Sequence, residues 1–304
     1  MKSLIQCRNV CKSFASKQAL HDVEFEIMEG KPIALVGPNG AGKTTLFSIL
    51  CGFISATSGE VSVLGKKPGD IMLSGNLSAL PQDAQLDPRF AISHQLRFYA
   101  KLQGIPSTKT LSETERVLSL VNLKEVINEK PGALSHGMRK RVSIAQALIG
   151  TPKLILLDEP TAGLDPENAR NVRRLVQELS TEITFIISSH NLHELEKLCD
   201  QVLYLEQGHL TQQNQNNVVE GTSDFITLTL KEYDKANIEK SFSTITGFES
   251  LQLIQADEYI IQYNNNLNPY FDQNLLTLMT ENNWQYRQII KGKTLEEQLF
   301  SHMN

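Results

Sequence analysis

The sequence predicts an α/β protein whose larger part is built on a mainly parallel β-sheet. Unbroken apolar runs of strand length occur at 33–36 (IALV), 154–157 (LILL) and 185–187 (FII), as is typical of strands buried on both faces. Apolar residues at helical spacing separate these runs at 46–50, 142–148 and 172–179. Because strands and helices alternate, we expect parallel strands connected by helices.

Length and composition limit the classes of protein to consider. The 304 residues are about twice the ~150 of one typical domain, which predicts two domains. A net charge of -5 gives no broad cationic surface, so nucleic acid is not expected as a partner. The longest apolar runs have four residues, whereas a membrane-spanning helix needs roughly 20. With no apolar signal segment at the N-terminus, a cytoplasmic location is expected.

Four cysteines are present, and their spacing favours free thiols. Cys7 and Cys11 are close in sequence, but Cys51 and Cys199 lie far away in different local contexts. This spacing fits neither a zinc site nor a disulfide framework.

Residues 86 to about 150 interrupt the strand–helix alternation. Helical stretches at roughly 92–103, 112–121 and 136–149 follow one another there without a convincing strand. We therefore expect a helical region inserted into the α/β domain.

The composition changes near 207–224, which is rich in Gln and Asn and predicts a linker. Beyond it, the pattern predicts a small α+β domain, with ferredoxin-like βαββαβ order as the suggested arrangement. Its predicted elements are strand 225–230, helix 231–241, strands 250–255 and 258–263, helix 270–281, strand 284–290 and a final helix near 294–302. The predicted domains are thus 1–215 and 216–304.

The segment GPNGAGKT, from Gly37 to Thr44, fits the phosphate-binding pattern G-x-x-x-x-G-K-[ST]. Its glycines allow backbone N–H groups to face an anion, Lys43 would reach the β- and γ-phosphates, and the Thr44 hydroxyl would bind Mg²⁺. A glycine-rich turn with a chance lysine is disfavoured, because a predicted strand precedes it and a helix follows. The predicted nucleotide-binding residues here are Gly37, Pro38, Asn39, Gly40, Ala41, Gly42, Lys43, Thr44 and Thr45.

Asp158 and Glu159 end the predicted strand 154–157 and form a Walker B pattern. At the carboxyl end of a parallel strand, Asp158 can hold a Mg²⁺-bound water and Glu159 can face the attacking water. Taken alone, a strand followed by two acids is more often a capped strand end. The P-loop elsewhere in the chain favours the catalytic interpretation.

Three further motifs narrow the class: LSHGMRKR at 134–141, AGLD at 162–165 and SSH at 188–190. In their order and spacing, the chain resembles the ATP-binding subunits of ATP-binding cassette (ABC) transporters over roughly residues 3–215. The resemblance implies a P-loop NTPase fold of the ABC type, ATP with Mg²⁺, ATP hydrolysis, and two copies of the chain, or one copy and a homologous subunit, closing on ATP.

The resemblance also implies roles for residues around the nucleotide. Phe14 would stack on adenine, and Gln82, in LPQD, would be the Q-loop residue that touches Mg²⁺ or water and reports the nucleotide state to a membrane partner. His190 would be the switch histidine. Taken alone, Phe14 could be ordinary core and His190 a strand-end histidine with a satisfied hydrogen bond.

Other roles concern the second copy. Ser135 and Gly137 of the signature motif would meet the γ-phosphate held by that copy, and Asp165 would lie in the D-loop at the subunit interface. A helix N-terminus is a natural phosphate site, which agrees with this role for Ser135 and Gly137.

The chain departs from the usual family pattern at three positions. The common signature is LSGGQ, whereas His136 and Met138 stand here, and Phe14 replaces a more usual tyrosine. His136 is interpreted as a solvent-facing imidazole rather than a titrating switch. The basic run 139–141 is interpreted as a solvated helix face rather than a nucleic-acid patch.

The resemblance implies a function in transport. A separate membrane permease would dock on the helical region and Q-loop, which places the chain on the cytoplasmic face of a membrane. The ending KTLEEQLFSHMN and the S-x-G-M form of the signature resemble drug, antibiotic or lipid exporters. The alternatives are an importer ATPase, a soluble ABC-type ATPase acting on ribosomes or DNA, and a regulatory module that hardly hydrolyses ATP. The intact Lys43, Asp158, Glu159 and His190 argue against the last.

Overall fold

The computed structural model describes residues 3–190, 195, 198–199, 201–214, 223–235, 237–255 and 257–292. The chain forms two compact units, Met1–Asn216 (unit 1) and Asn217–Asn304 (unit 2). Each unit has its own cluster of buried apolar side chains.

Unit 1 contains a three-stranded antiparallel sheet and a six-stranded, mainly parallel sheet. The strands of the smaller sheet are β1 (Ser3–Phe14), β2 (Lys17–Met28) and β4 (Ser58–Val63), in the order β2-β1-β4. The strands of the larger sheet are β3 (Ile33–Val36), β5 (Leu77–Leu80), β6 (Leu154–Asp158), β7 (Thr184–Ser189), β8 (Gln201–Glu206) and β9 (His209–Asn214).

The larger sheet brings the predicted motifs to one edge. Its order is β5-β6-β7-β3-β8-β9, and the first five strands are parallel. Strands β3, β6 and β7 are buried throughout, as their apolar runs predict. Because parallel strands share the direction of their carboxyl ends, the segments that follow β3, β6 and β7 meet at the same edge.

The described helices of unit 1 lie close to their predicted positions. They are α1 (Lys43–Leu50), α2 (Ile92–Leu102), α3 (Thr110–Leu120), α4 (His136–Ala147) and α5 (Pro166–Leu179). The fully described stretch 81–153 contains helices and turns and no strand, which confirms the predicted helical region.

Side-chain hydrogen bonds fix α4 to the rest of the helical region. Arg116 of α3 donates to the backbone oxygen of Leu148 at 2.9 Å, and Arg141 of α4 donates to that of Val121 at 3.1 Å. Glu113 of α3 accepts from the backbone N–H of Gly150 at 2.8 Å. Since the middle of α4 and the segment just after it are held in this way, we expect α3 and α4 to move together.

Two features of unit 1 differ from the sequence prediction. The predicted linker 207–224 is wrong for 209–214, which form β9 and pair with β8. An edge strand leaves one side open to water, so it tolerates polar residues. The long strand β1 escaped prediction because Asn9 has a left-handed φ of 48° and the pairing register shifts between Cys7 and Val10, which breaks the apolar alternation.

Unit 2 follows the predicted βαββαβ order. Its elements are β10 (Ser223–Glu232), α6 (Ile238–Phe242), β11 (Phe248–Gln255), β12 (Glu258–Asn264), α7 (Phe271–Glu281) and β13 (Gln285–Lys291). The sheet order is β11-β12-β10-β13, with all neighbours antiparallel. The predicted helix 231–241 is wrong at its start, because Lys231 and Glu232 extend β10. The helix predicted near 294–302 lies outside the described residues.

In the described part of the chain, no helix has the length and apolar character needed to cross a bilayer.

Candidate active site

A cavity of about 590 Å³ opens at the edge of the large sheet where the motifs meet. Its lining combines the predicted phosphate loop, both Walker B acids, Gln82 and Phe14. The lining residues are Phe14, Lys17, Gln18, Ala19, Asn39, Gly40, Ala41, Gly42, Lys43, Thr44, Thr45, Gln82, Asp158, Glu159, Gln207 and Gly208. The structure therefore brings most of the predicted nucleotide-binding residues into one place.

The phosphate loop needs glycine for two different reasons. A Cβ on Gly37 would stand 2.0 Å from the backbone oxygen of Leu205 in β8, so no side chain fits there. Gly42 caps α1 with a left-handed φ of 111°, which residues with a Cβ rarely adopt. The loop can therefore lie flat against β8 and turn directly into the N-terminus of α1.

Lys43 reaches back over the loop instead of pointing into solvent. Its ammonium donates to the backbone oxygens of Gly37 at 2.6 Å and Pro38 at 3.2 Å, and lies 3.9 Å from Glu159 Oε1. Burial lowers the pKa of Lys43, and the carboxylates of Glu159 and Asp158 oppose that shift. An anion in the cavity would favour the charged form further.

Asp158 connects the loop to the neighbouring strand. Its Oδ2 accepts from the Thr44 hydroxyl at 3.0 Å, and its Oδ1 accepts from the Ser188 hydroxyl. A threonine hydroxyl and a carboxylate are hard oxygen donors, the type that Mg²⁺ prefers. The pair Thr44 and Asp158 thus fits a magnesium site at the mouth of the loop.

Glu159 is buried and held from two sides. Its backbone N–H donates to Ser188 Oγ at 2.8 Å, and its Oε2 lies 3.0 Å from His190 Nδ1. Its Oε1 is buried and has no hydrogen-bond partner among the described residues. The residue adopts a left-handed φ of 48°, a strained conformation that is typical of functional sites. The arrangement can accept a proton or a hydrogen bond from a water molecule.

Gln82 lies beside the cavity with an exposed side chain. Its backbone oxygen accepts a 3.3 Å hydrogen bond from Lys140 of α4. The amide group of Gln82 is thus free to reach into the cavity while its backbone is attached to the helical region.

Phe14 forms the opposite wall of the cavity. The interpretation of Phe14 as core is wrong, because 48% of the residue is exposed. The Lys12 ammonium lies 4.9 Å from the centre of its ring. Gly208 joins this wall to the phosphate loop, since its N–H donates to Ala41 at 3.0 Å and its carbonyl accepts from the His21 N–H at 2.8 Å.

Ser135, Gly137 and Asp165 form a second cluster, none of which lines the cavity. Ser135 caps α4 by accepting from the Met138 N–H at 3.2 Å, and Asp165 caps α5 by accepting from the Asn168 N–H at 2.9 Å. The Asn168 side chain donates to Asp165 Oδ2 at 2.7 Å. The cluster therefore presents two capped helix N-termini side by side.

His136 is exposed beside this cluster, as expected. Its Nε2 lies 3.6 Å from the position that a Cβ on Gly163 would occupy, so the imidazole packs on the AGLD segment.

The basic run 139–141 does not form the solvated face that the sequence predicted. Arg139 donates to the backbone oxygen of Leu134 at 2.7 Å, while Lys140 and Arg141 bind those of Gln82 and Val121. All three side chains are partly buried and serve structural contacts within the chain.

Sequence reasoning missed three residues of the site. Ser188 was visible as part of the strand-end SSH, but only its neighbour His190 received a role. Asn168 and Lys140 belong to ordinary helical stretches, and nothing in the local pattern distinguishes them.

Comparison with known proteins gives consistent results. The family model described as "ABC transporter" matches residues 20–162. An uncharacterized ABC transporter ATP-binding protein of Bacillus subtilis, YxlF, is 34% identical over 238 residues, which cover 75% of this chain and 77% of that protein. Nod factor export ATP-binding protein I of Cupriavidus metallidurans is 33% identical, with 68% of this chain and 70% of that protein covered.

A solved structure shares the architecture of the chain. CbiO1 of Clostridium perfringens, described as part of the ABC transporter complex cbiONQ, is 26% identical with a TM-score of 0.64. The likeness covers 72% of this chain and 91% of that chain.

Proposed function

Because the chain belongs to the ABC transporter family of ATP-binding proteins, we propose that it works as a pair of cassettes that drives a separate membrane permease, with export as the direction. The chain has the P-loop NTPase fold of this family, whose members bind and hydrolyse ATP. The observation that carries the proposal is the carboxylate of Glu159: its Oε1 has no hydrogen-bond partner among the described residues and lies 3.9 Å from the Lys43 ammonium, and its Oε2 lies 3.0 Å from His190 Nδ1.

Glu159 is the proposed general base for the attacking water. His190 holds Oε2 at 3.0 Å and Ser188 holds the Glu159 backbone, while Oε1 has no hydrogen-bond partner among the described residues and lies 3.9 Å from the Lys43 ammonium. A fixed acceptor of this kind orients water at no cost in reorganisation when the reaction occurs. His190 is then a proposed partner that orients Glu159.

The phosphates of ATP are the proposed ligands of the loop from Gly37 to Thr45. The Lys43 ammonium, now bound to two backbone oxygens, would exchange them for β- and γ-phosphate oxygens. The Thr44 hydroxyl and the Asp158 carboxylate would hold Mg²⁺, and Gln82 would contact it or the attacking water. When bound, Mg²⁺ neutralises phosphate charge and polarises the γ-phosphoryl group.

The second cluster supports a two-copy mechanism. Ser135, Gly137 and Asp165 are absent from the cavity lining, so the proposed contacts of Ser135 and Gly137 with a γ-phosphate require another chain. Phosphate binding at a helix N-terminus is physically favourable. Loss of the γ-phosphate would remove this contact and favour reopening of the pair.

An exposed apolar surface supports the proposed permease. This surface, the apolar patch, consists of Phe53, Ile71, Met72, Phe98 and Leu102, all exposed large hydrophobic residues. Its parts are adjacent in space. Gly52, next to Phe53, lies against Gly69, two residues before Ile71, because a Cβ on Gly52 would stand 2.3 Å from the Gly69 backbone. Gly75, three residues after Met72, lies near Gln103, next to Leu102, because a Cβ on Gly75 would lie 3.8 Å from the Gln103 side chain. An apolar cytoplasmic segment of a membrane protein is the proposed occupant.

Export is proposed because a relative at 33% identity is described as an export protein. The signature LSHGM and the ending KTLEEQLFSHMN resemble those of drug, antibiotic or lipid exporters. That ending lies outside the described residues. Import is the second candidate, and a soluble switch on ribosomes or DNA the third. Residues 216–304 are proposed to be an accessory domain.

The test is purification of the chain from its own cells in mild detergent. A stoichiometric polytopic membrane protein is expected with the wild type and not with Met72→Glu/Leu102→Glu, whose folding is checked by circular dichroism. Leu267→Glu, at another exposed apolar position, is the matched control and is expected to retain the partner. Ribosomes or DNA in place of a membrane protein would refute the permease proposal.

A further inference from the structure

The Lys140 side chain connects the helical region to Gln82, which lines the nucleotide cavity. Its ammonium donates to the Gln82 backbone oxygen at 3.3 Å across 58 residues of sequence. Its neighbours Arg139 and Arg141 instead bind Leu134 and Val121, which belong to the helical region itself. Of the three basic residues, Lys140 therefore makes the connection to the Q-loop.

The helix that carries Lys140 is firmly attached to its surroundings. Arg141 fixes the first half of α4 to the end of α3, and Arg116 fixes the segment just after α4 to the same helix. A displacement of α4 must therefore carry α3 with it. In the other direction, a shift of Gln82 acts on α4 through the Lys140 ammonium.

Two of the carboxylates that act on Lys140 belong to the nucleotide cavity. Burial lowers the pKa of Lys140, and the carboxylates of Asp158, Asp83 and Glu159 oppose that shift. Asp158 and Glu159 line the nucleotide cavity, so part of the negative charge that favours the ammonium form of Lys140 lies there. Phosphates and a cation in that cavity would change the charge there.

We propose that Lys140 is a positioning residue that binds the Q-loop backbone to the signature helix and couples the position of α4 to that of Gln82. The inference rests on the proposed role of Gln82 at the nucleotide. It differs from a role in nucleotide binding, because Lys140 does not line the cavity.

The test compares Lys140→Met, which keeps the aliphatic stem, with Lys140→Arg, which keeps a charged donor. Lys153→Met is the matched control, since Lys153 is exposed just before β6, at the end opposite Asp158. Amide hydrogen exchange is measured on the nucleotide-free full-length chain. In Lys140→Met we expect the amides of 82–86 and 136–147 to exchange about tenfold faster, because a charge-assisted hydrogen bond is lost.

Kinetics provide a second measurement. Lys140→Met is expected to lower kcat about tenfold and to leave the KM for ATP within about twofold, with most of kcat restored in Lys140→Arg. Lys153→Met is expected to match the wild type in exchange and in kinetics.

Two results would overturn the inference. One is amide exchange at 82–86 in Lys140→Met equal to that of Lys153→Met. The other is faster exchange across all of unit 1 with a lower Tm and no rescue by arginine, which would mean a merely structural role. The proposed function is tested separately: if the wild-type chain lacked ATPase activity, that function would fail, while exchange in the nucleotide-free chain would still decide the role of Lys140.

Discussion

Gly137 of the signature motif and Asn168 of α5 approach so closely that a Cβ on Gly137 would lie 2.5 Å from the Asn168 Cγ. The same Asn168 side chain donates to Asp165 at 2.7 Å. The glycine of the signature thus leaves room within its own chain for the Asn168 side chain, which would have to leave its place beside Asp165 to accommodate a Cβ, independently of any contact with phosphate.

Gly137→Ala is expected to destabilise unit 1 although alanine favours helices. Overpacking costs about 1–3 kcal/mol, whereas replacing glycine by alanine inside a helix contributes about 1 kcal/mol. The free energy of unfolding, measured in urea, should therefore fall. The added variant Asn168→Ala makes room for the new methyl group and should recover stability. A Gly137→Ala chain as stable as the wild type would contradict the close packing.

Lys43→Ala is expected to remove most nucleotide binding and to lower ATPase activity by at least about 100-fold, because the principal cation at the phosphates is lost. Binding of a fluorescent ATP analogue and phosphate release measure the two effects. Lys153→Met is the charge-matched control. Near-normal turnover in Lys43→Ala would refute the assignment of the site.

Glu159→Gln is expected to bind ATP and to stop hydrolysis, because an amide of the same shape cannot accept a proton from water. Trapped before hydrolysis, two chains should remain closed on MgATP and elute as a dimer in size-exclusion chromatography. Elution as a monomer under these conditions, with ATP demonstrably bound, would argue against the two-copy mechanism.

His190→Ala should separate activity from stability. Because 58% of its side chain is exposed, we expect the free energy of unfolding to change by no more than about 0.5 kcal/mol. The loss of the contact with Glu159 should lower kcat by about 10²-fold or more. A variant that loses stability and activity in parallel would indicate a structural role instead. Thermal unfolding and steady-state kinetics on one preparation decide between these outcomes.

The sequence predicted those parts of the fold that depend on local pattern. The strands β3, β6 and β7 contain unbroken apolar runs. The phosphate loop has a fixed spacing of its glycines and lysine, and it lies between β3 and α1. The topology rule for parallel strands then placed Asp158 and His190 at the same edge as Lys43. Local pattern failed where tertiary contact decides, as in the polar edge strand β9 and the bulged strand β1.

Contacts between distant segments account for the missed residues. Ser188 matters because β7 lies beside β6, which lets one hydroxyl hold both Asp158 and Glu159. Lys140 was expected to face solvent, yet Gln82 lies within reach of its ammonium. A helical pattern specifies which residues share a face, but it does not specify the neighbour of that face.

The backbone hydrogen bonds of Gly208 have a consequence for substrate selection. They join Ala41 of the phosphate loop to His21 of β2, the strand that pairs with β1 and its Phe14. The proposed stacking of the base on Phe14 and the proposed binding of the triphosphate by the loop would therefore be mechanically linked. A nucleotide whose ring fits poorly against Phe14 is expected to be bound more weakly and also to be cleaved more slowly. The chain would therefore discriminate against such a nucleotide both at binding and at hydrolysis.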